Sequence, residues 1–187
     1  MSEIWITSDT HFCHDRAFLY EPRGFHSIDE MNEEIIKRWN SMVGQDDIVY
    51  LLGDVMLNDN IKGTECLERL NGHIYIALGN HDTDSRVWNY LAAHNVVDVQ
   101  LAYRFRYRKY HFYLSHYPTM TGNIEAESLR KVTINLFGHT HSKEKFYNDI
   151  PFMYNCALDA HNCYPVNLEQ VIEDCRNKVE ENRDESF

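Results

Sequence analysis

The stretch Ile74-Tyr75-Ile76-Ala77-Leu78-Gly79-Asn80-His81-Asp82 decides the reading of the chain. Ile74, Ile76 and Leu78 recur at period two, which predicts a β-strand, and Asn71-Gly72 supplies the turn before it. Gly79 permits a sharp exit, and an amide, an imidazole and a carboxylate follow at once. A strand thus delivers chemistry at its tip. Working outward, Ile4-Trp5-Ile6-Thr7-Ser8 runs into Asp9-Thr10-His11, and Ile48-Val49-Tyr50-Leu51-Leu52 runs into Gly53-Asp54. Ile134-Asn135-Leu136-Phe137 leads to Gly138-His139-Thr140-His141, and His111-Phe112-Tyr113-Leu114-Ser115 ends in His116.

Between these strands the chain alternates with helices in its first half. Ser27-Ile28-Asp29-Glu30 has the spacing of a capping box, and Ile28, Met31, Ile35, Trp39 and Met42 mark one face of the helix it opens, which Gly44 ends. A second helix is expected over about Ile61 to Leu70 and a third from near Thr83. From Val96 to Ser115 two β segments are expected around the basic run Arg104 to Lys109, as a hairpin with a solvated charged face. A weakly helical piece is expected from Ile124 to Lys131, a last strand from Pro151 to Leu158, and a helix from about Leu168 that frays from Glu180 onward. The pattern predicts an α/β layered sandwich, and at 187 residues a single domain suffices.

Composition excludes several classes of function. The formal net charge of −11, without a run of Lys or Arg, argues against tight binding to long nucleic acids. A bound metal would reverse that sign locally. No basic segment leads into a long apolar stretch and no run reaches membrane-spanning length, so a soluble cytoplasmic protein with no membrane partner is expected. The five cysteines are odd in number and form no Cys-x-x-Cys, which indicates neither a disulfide framework nor a zinc ribbon.

Asp, His and Asn are oxygen and nitrogen donors of intermediate hardness, and their recurrence at strand ends suits two divalent cations better than one closed zinc site. Stabilisation alone gives no reason for Asp or His at the exit of so many strands. The ordered series Asp9-x-His11, Gly53-Asp54, Gly79-Asn80-His81-Asp82, His116 and Gly138-His139-x-His141 resembles the calcineurin-like metallophosphoesterase superfamily, from residue 9 to residue 141. Ser8 to Phe12, Glu30-Met31-Asn32-Glu33 and His116-Tyr117-Pro118 further resemble its small, single-domain bacterial and phage members.

The resemblance implies an αββα sandwich with its metal site at the strand C-terminal ends. It implies that Asp9, His11 and His141 hold a first metal, that Asn80, His116 and His139 hold a second, and that Asp54 bridges them. His81 would be the catalytic acid and Asp82 would orient its ring. Two ions roughly 3.5–4 Å apart would hold a bridging hydroxide that attacks a phosphomonoester or phosphodiester. Mn²⁺ is the expected ion, with Fe, Ni or Zn also compatible with the donors. Cys13 departs from the pattern, since the small members usually have glycine there. The loop from Asp9 to Phe25 carries His14 and Arg23 as candidate substrate contacts, with Arg23 the preferred grip on phosphate. The expected substrate is a small phosphate ester or nucleotide. Two alternatives are a nuclease acting on short nucleic acids and a silent protein-binding scaffold like the retromer subunit of the same fold. The charge and the lack of a DNA-capping domain weigh against the nuclease, and the complete ligand set against the scaffold.

Overall fold

The computed structural model describes residues 2–123 and 128–184. β1 (Ile4–Thr7), β2 (Ile48–Leu51) and β3 (His73–Ala77) pair in parallel, with Ile4 opposite Ile48 and Val49 opposite Ile74. β4 (Val96–Gln100) extends this sheet beyond β3. β5 (Ala102–Tyr107) and β6 (Tyr110–Ser115) form an antiparallel hairpin, to which β7 (Thr133–Phe137) and β8 (Met153–Asn155) add in parallel as a second sheet. The two-residue β9 (Val166–Asn167) pairs antiparallel with β1, so the sheets read β4-β3-β2-β1-β9 and β5-β6-β7-β8.

Alternation along the strands sorts the two cores. Trp5, Val49, Leu51, Ile74 and Ile76 face helices α2 (Ile28–Met42), α3 (Asn60–Glu68) and α4 (Asp84–Ala92), where Met31, Ile35, Trp39, Leu67 and Tyr90 are buried with them. Ile6 and Ala77 point the other way, into a core shared with Phe112, Leu114, Ile134 and Leu136 of the second sheet. Tyr50 lies against Tyr75, Tyr103 and Phe105 between the sheets, with ring centroids 5.1–5.4 Å away. Leu168, Val171, Ile172 and Cys175 of α5 (Leu168–Asp184) complete that core. The layered α/β sandwich expected from the alternation is the observed architecture. Among the described residues no helix is long and apolar enough to cross a membrane.

Local signals held best where a side chain reports on the backbone. Ser27 Oγ accepts from the Glu30 amide, and Glu30 closes the cap on the His26 amide, one residue earlier than the box predicts. Asp59 accepts from Ile61 and Lys62, which starts α3 at Asn60. A short helix, α1 (Ala17–Tyr20), interrupts the expected loop before Phe25.

Several expectations change. The region from Val96 to Ser115 holds three strands, of which β4 belongs to the first sheet. Arg104 and Arg106 lie within β5, because Tyr103, Phe105 and Tyr107 alternate inward between them, and the hairpin turns at Arg108-Lys109 instead. Residues 124–127 of the expected weak helix lie outside the described residues, and 129–131 form a turn. The last strand shortens to β8 and gives way to a 3-10 turn at Leu158–His161, while α5 stays helical to Asp184, and 185–187 lie outside the described residues.

The strand tips converge because glycines let the chains approach. A Cβ on Gly79 would stand 2.3 Å from Asp54 Oδ1, and one on Gly138 would stand 1.9 Å from Ser8 Oγ and 2.3 Å from Asp9 Oδ2. Gly24, by contrast, has open space around it and a φ of +86°. Gly79→Ala and Gly138→Ala are therefore expected to lower the unfolding free energy by about 3 kcal/mol or more, as overpacking against fixed groups does. Gly24→Ala should cost only its left-handed backbone, about 1 kcal/mol. Urea unfolding of the three variants is the measurement, and equal small losses would show that the tips have room.

Candidate metal centre

The first two tips are zipped together by main-chain bonds: Asp9 N–H donates to Gly53 O at 3.0 Å, His11 N–H to Asp54 O at 3.0 Å and Phe12 N–H to Val55 O at 2.9 Å. Gly138 N–H donates to His116 O at 3.0 Å, which joins the two tips of the second sheet. Asp9, His11, Asp54, His139 and His141 all have φ between +49° and +68°. Left-handed backbone costs a non-glycine residue roughly 1 kcal/mol or more, and its concentration here aims these side chains inward against local preference.

Two groups of donors result. Single ligand atoms of Asp9, His11 and His141 lie within 4.8 Å of one another, and so do those of Asp9, Asp54 and His116. His11 Nε2 and His141 Nε2 are 3.2 Å apart and each is 3.7 Å from Asp9 Oδ1. His116 Nε2 is 3.0 Å from Asn80 Oδ1, 3.2 Å from His139 Nδ1 and 3.5 Å from Asp54 Oδ2. Asp54 Oδ2 also stands 3.7 Å from His11 Nε2, between the groups. Asp9 belongs to both groups, so two carboxylates lie between them where the sequence suggested Asp54 alone. Asp9 Oδ1 is buried with no hydrogen-bond partner among the described residues. An orphaned carboxylate oxygen among converging imidazole nitrogens fits a cation, and mixed O and N donors fit a divalent metal.

Several of the donors are aimed by a second contact. His116 Nδ1 lies 2.8 Å from the Leu52 carbonyl, so that nitrogen carries the proton and Nε2 keeps its lone pair for the site. The His139 N–H donates to Asp9 Oδ2 at 2.9 Å, and the His81 N–H to Asp54 Oδ1 at 2.9 Å. His141 Nδ1 lies 2.9 Å from Asp159 Oδ2. The ring of His81 stays partly open, its side chain 42% exposed, with Nε2 3.9 Å from Asp54 Oδ2. His14 sits beside both, its ring 5.2 Å from that of His11 and 6.2 Å from that of His81.

Two expected roles do not survive the geometry. Asp82 does not touch the His81 ring. It accepts from Gly79 N–H and Asp54 N–H at 2.8 Å, from Val55 N–H at 3.2 Å and from Tyr90 Oη at 2.6 Å, so it ties the second tip to the third. Arg23 does not face a substrate. Its side chain is 2% exposed, with Nε and Nη2 gripping the Asp159 carboxylate at 2.9 and 2.7 Å and Nη2 also donating to Asp9 O at 2.9 Å. Asp159 itself escaped the sequence reading, since nothing in Leu158-Asp159-Ala160-His161 distinguishes it. The Leu158 N–H to Ser8 O bond brings it alongside Asp9. Cys13 belongs to neither ligand group and turns its thiol to Asn32 Nδ2, 3.7 Å away.

Burial acts on Asp9, His11, His14, His139 and His141, and the neighbours of each decide the outcome. Burial pushes Asp9 up, but His11 and His141 override it and hold the carboxyl at about 2. Burial lowers His11 against the pull of Asp9, lowers His139 with help from His116, and with His11 and His81 takes His14 to about 4. His141 is raised despite burial, because Asp159 accepts from it. An unfolded histidine takes its proton near 6.5, so between that pH and about 4 the unfolded chain binds more protons than the fold, and stability falls as pH falls. His11 and His139 act in the same sense and His141 in the opposite one. Asp9 acts lower down, with about 2 kcal/mol present above pH 3.8 and lost as pH falls through about 2. The metal-free protein is expected to lose urea stability from pH 6.5 to 4, and His14→Gln to lose less over that window. A flat profile in both would contradict the burial of these rings.

Comparison with known proteins follows the same lines. The chain is 32% identical over 183 residues to an uncharacterized protein of Methanocaldococcus jannaschii, covering 92% of this chain and 90% of that one. It is 29% identical over 198 residues to the gene 66 protein of Mycobacterium phage D29, covering 93% and 98%. A protein of unknown function from Aquifex aeolicus shares the fold at a TM-score of 0.71 and 18% identity, over 92% of this chain and 99% of that one. Residues 2–155 match the family model described as a calcineurin-like phosphoesterase superfamily domain. The chain belongs to the calcineurin-like phosphoesterase superfamily, a metal-dependent family, and carries a His/Asp cluster able to hold metal at its strand tips.

Proposed function

We propose that this chain is a phosphoesterase of two divalent metal ions acting on a small phosphate ester or nucleotide. The observation that carries the reading is the pair of donor groups sharing Asp9, whose buried Oδ1 has no hydrogen-bond partner among the described residues. Asp9, His11 and His141 would hold one ion and Asn80, His116 and His139 the other, with Asp54 between them. When bound, such ions lower the pKa of water and offset the charge on phosphoryl oxygens. Mn²⁺ suits this donor set, and Fe, Ni or Zn are compatible with it.

The protein's own part in the reaction is orientation and proton transfer. His81 is fixed through its backbone, its N–H on Asp54 and its carbonyl on Arg86, while its ring stays free at the mouth of the site. That arrangement suits a proton donor to the leaving oxygen. Phe18 and Tyr117, 72% and 48% exposed, flank the centre by contact with His14 on one side and with His116 and His139 on the other. Such rims suit a substrate with an organic or nucleobase portion.

Metal analysis is expected to find two ions per chain at saturating Mn²⁺, with activity lost on chelation and restored by the metal. Full activity with fewer than two ions would remove the dinuclear reading. His81→Ala should lower kcat/KM about 10²–10⁴-fold on an alkyl phosphate ester, whose alkoxide needs a proton, and much less on a nitrophenyl ester, with both ions retained. Equal losses on both esters would assign His81 to charge stabilisation instead. Asp82→Asn should act through the tips it ties together, lowering stability and slowing both esters alike.

A further inference from the structure

The imidazoles of the centre are not braced alike. His116 Nδ1 meets a neutral main-chain carbonyl, that of Leu52. His11 Nδ1 is buried with no partner among the described residues. His141 Nδ1 alone among these three meets a carboxylate, Asp159 Oδ2 at 2.9 Å, and the side chain of Asp159 is itself only 10% exposed. Arg23 closes the other side of that carboxylate with two nitrogens and reaches the main-chain oxygen of Asp9 with one of them. A single guanidinium therefore fixes two members of the Asp9–His11–His141 group, and the one member of the second group it reaches is Asp9, which the two groups share.

We propose that Arg23 and Asp159 are positioning residues for the metal held by Asp9, His11 and His141, setting the orientation and tautomer of His141 and leaving the other metal to its own braces. The proposal rests on the metal-binding reading above. A carboxylate accepting from a ligand histidine fixes the proton on Nδ1, leaves Nε2 free to bind metal and makes that nitrogen more basic. The guanidinium keeps the buried carboxylate ionised and in plane, because its fork matches both oxygens. It also ties the brace to Asp9, so the distance between two ligands is set by one rigid group. Lysine would keep the charge at position 23 and lose the fork.

Titration of the metal-free protein with Mn²⁺ alone, followed by calorimetry, separates the two binding steps. Asp159→Asn is expected to weaken one step roughly 10–100-fold, the usual cost of losing such an outer contact, and to leave the other unchanged. Arg23→Lys should weaken the same step by less. Nitrogen-15 spectra of histidine rings in the metal-free proteins give an independent reading: His141 should be protonated at Nδ1 in the wild type and a mixture of tautomers in Asp159→Asn. Equal weakening of both steps, or unchanged affinity with only a lower melting temperature, would overturn the proposal and leave the pair a structural brace. Wild-type protein that binds one ion overturns the dinuclear reading instead, and the tautomer of His141 with the affinity of that one site still decides the role of Asp159. A variant that fails to fold is replaced by Arg23→Lys, whose unchanged binding would count against the proposal.

Discussion

The carboxylate of Asp9 is the constraint on which the rest of the molecule turns. One oxygen takes the His139 N–H, which links the first sheet's tip to the second sheet's tip, and the other faces His11 and His141 with no hydrogen bond among the described residues. A fully buried carboxylate oxygen left this way is an open acceptor, and a cation among the same atoms would fill it. The left-handed backbone at five donor residues points in the same direction. Local conformational cost is concentrated where ligands must converge, and the two cores of the sandwich supply the stability that tolerates it.

The strands at the centre were legible because their period and their exits agree. Ile48–Leu51 buries alternate residues and His73–Ala77 does so up to Ile76, Ile4–Thr7 and Thr133–Phe137 are buried on both faces after their first residue, and each strand is followed within three residues by an Asp, Asn or His of the candidate site. β4 was misplaced for a physical reason: adjacency in sequence to β5 suggested one hairpin, whereas parallel pairing with β3 sends it to the other sheet. β9 is two residues long and exists through its partner β1, so no local pattern could announce it.

Of the candidate site, the convergence of Asp9, His11, Asp54, His116 and His141 was readable and the contacts that brace them were not. Asp82 follows His81 in sequence, which invites the idea that one orients the other. At a tight strand exit successive side chains diverge, and Asp82 folds back onto three amides and Tyr90. Arg23 and Asp159 are separated by 136 residues, and no spacing rule reaches that far. Their meeting depends on Leu158 hydrogen-bonding to Ser8, a consequence of how β8 leaves the second sheet beside β1. The arginine that looked best for a phosphate was thus drawn inward by a carboxylate invisible to the local sequence.

That displacement bears on how the centre would hold a phosphate at all. Arg23 is committed to Asp159 and Asp9, and Arg86 to Asn60 and the His81 carbonyl. Arg16 acts on His14 at the rim, outside both donor groups. His11, His14 and His139 are held below their ordinary values and stay neutral near pH 7, while Asp9 stays ionised. With a chain charge of −11, a phosphate entering this cleft would meet carboxylates and neutral imidazoles before any committed guanidinium. The neutral imidazoles of His11 and His139 have lone pairs that could take a metal, and cations bound to them would reverse the local sign and make the cleft attractive to a phosphate. On this electrostatic argument the metals would do more than supply reactivity: they would provide much of the positive charge by which the site recognises its substrate.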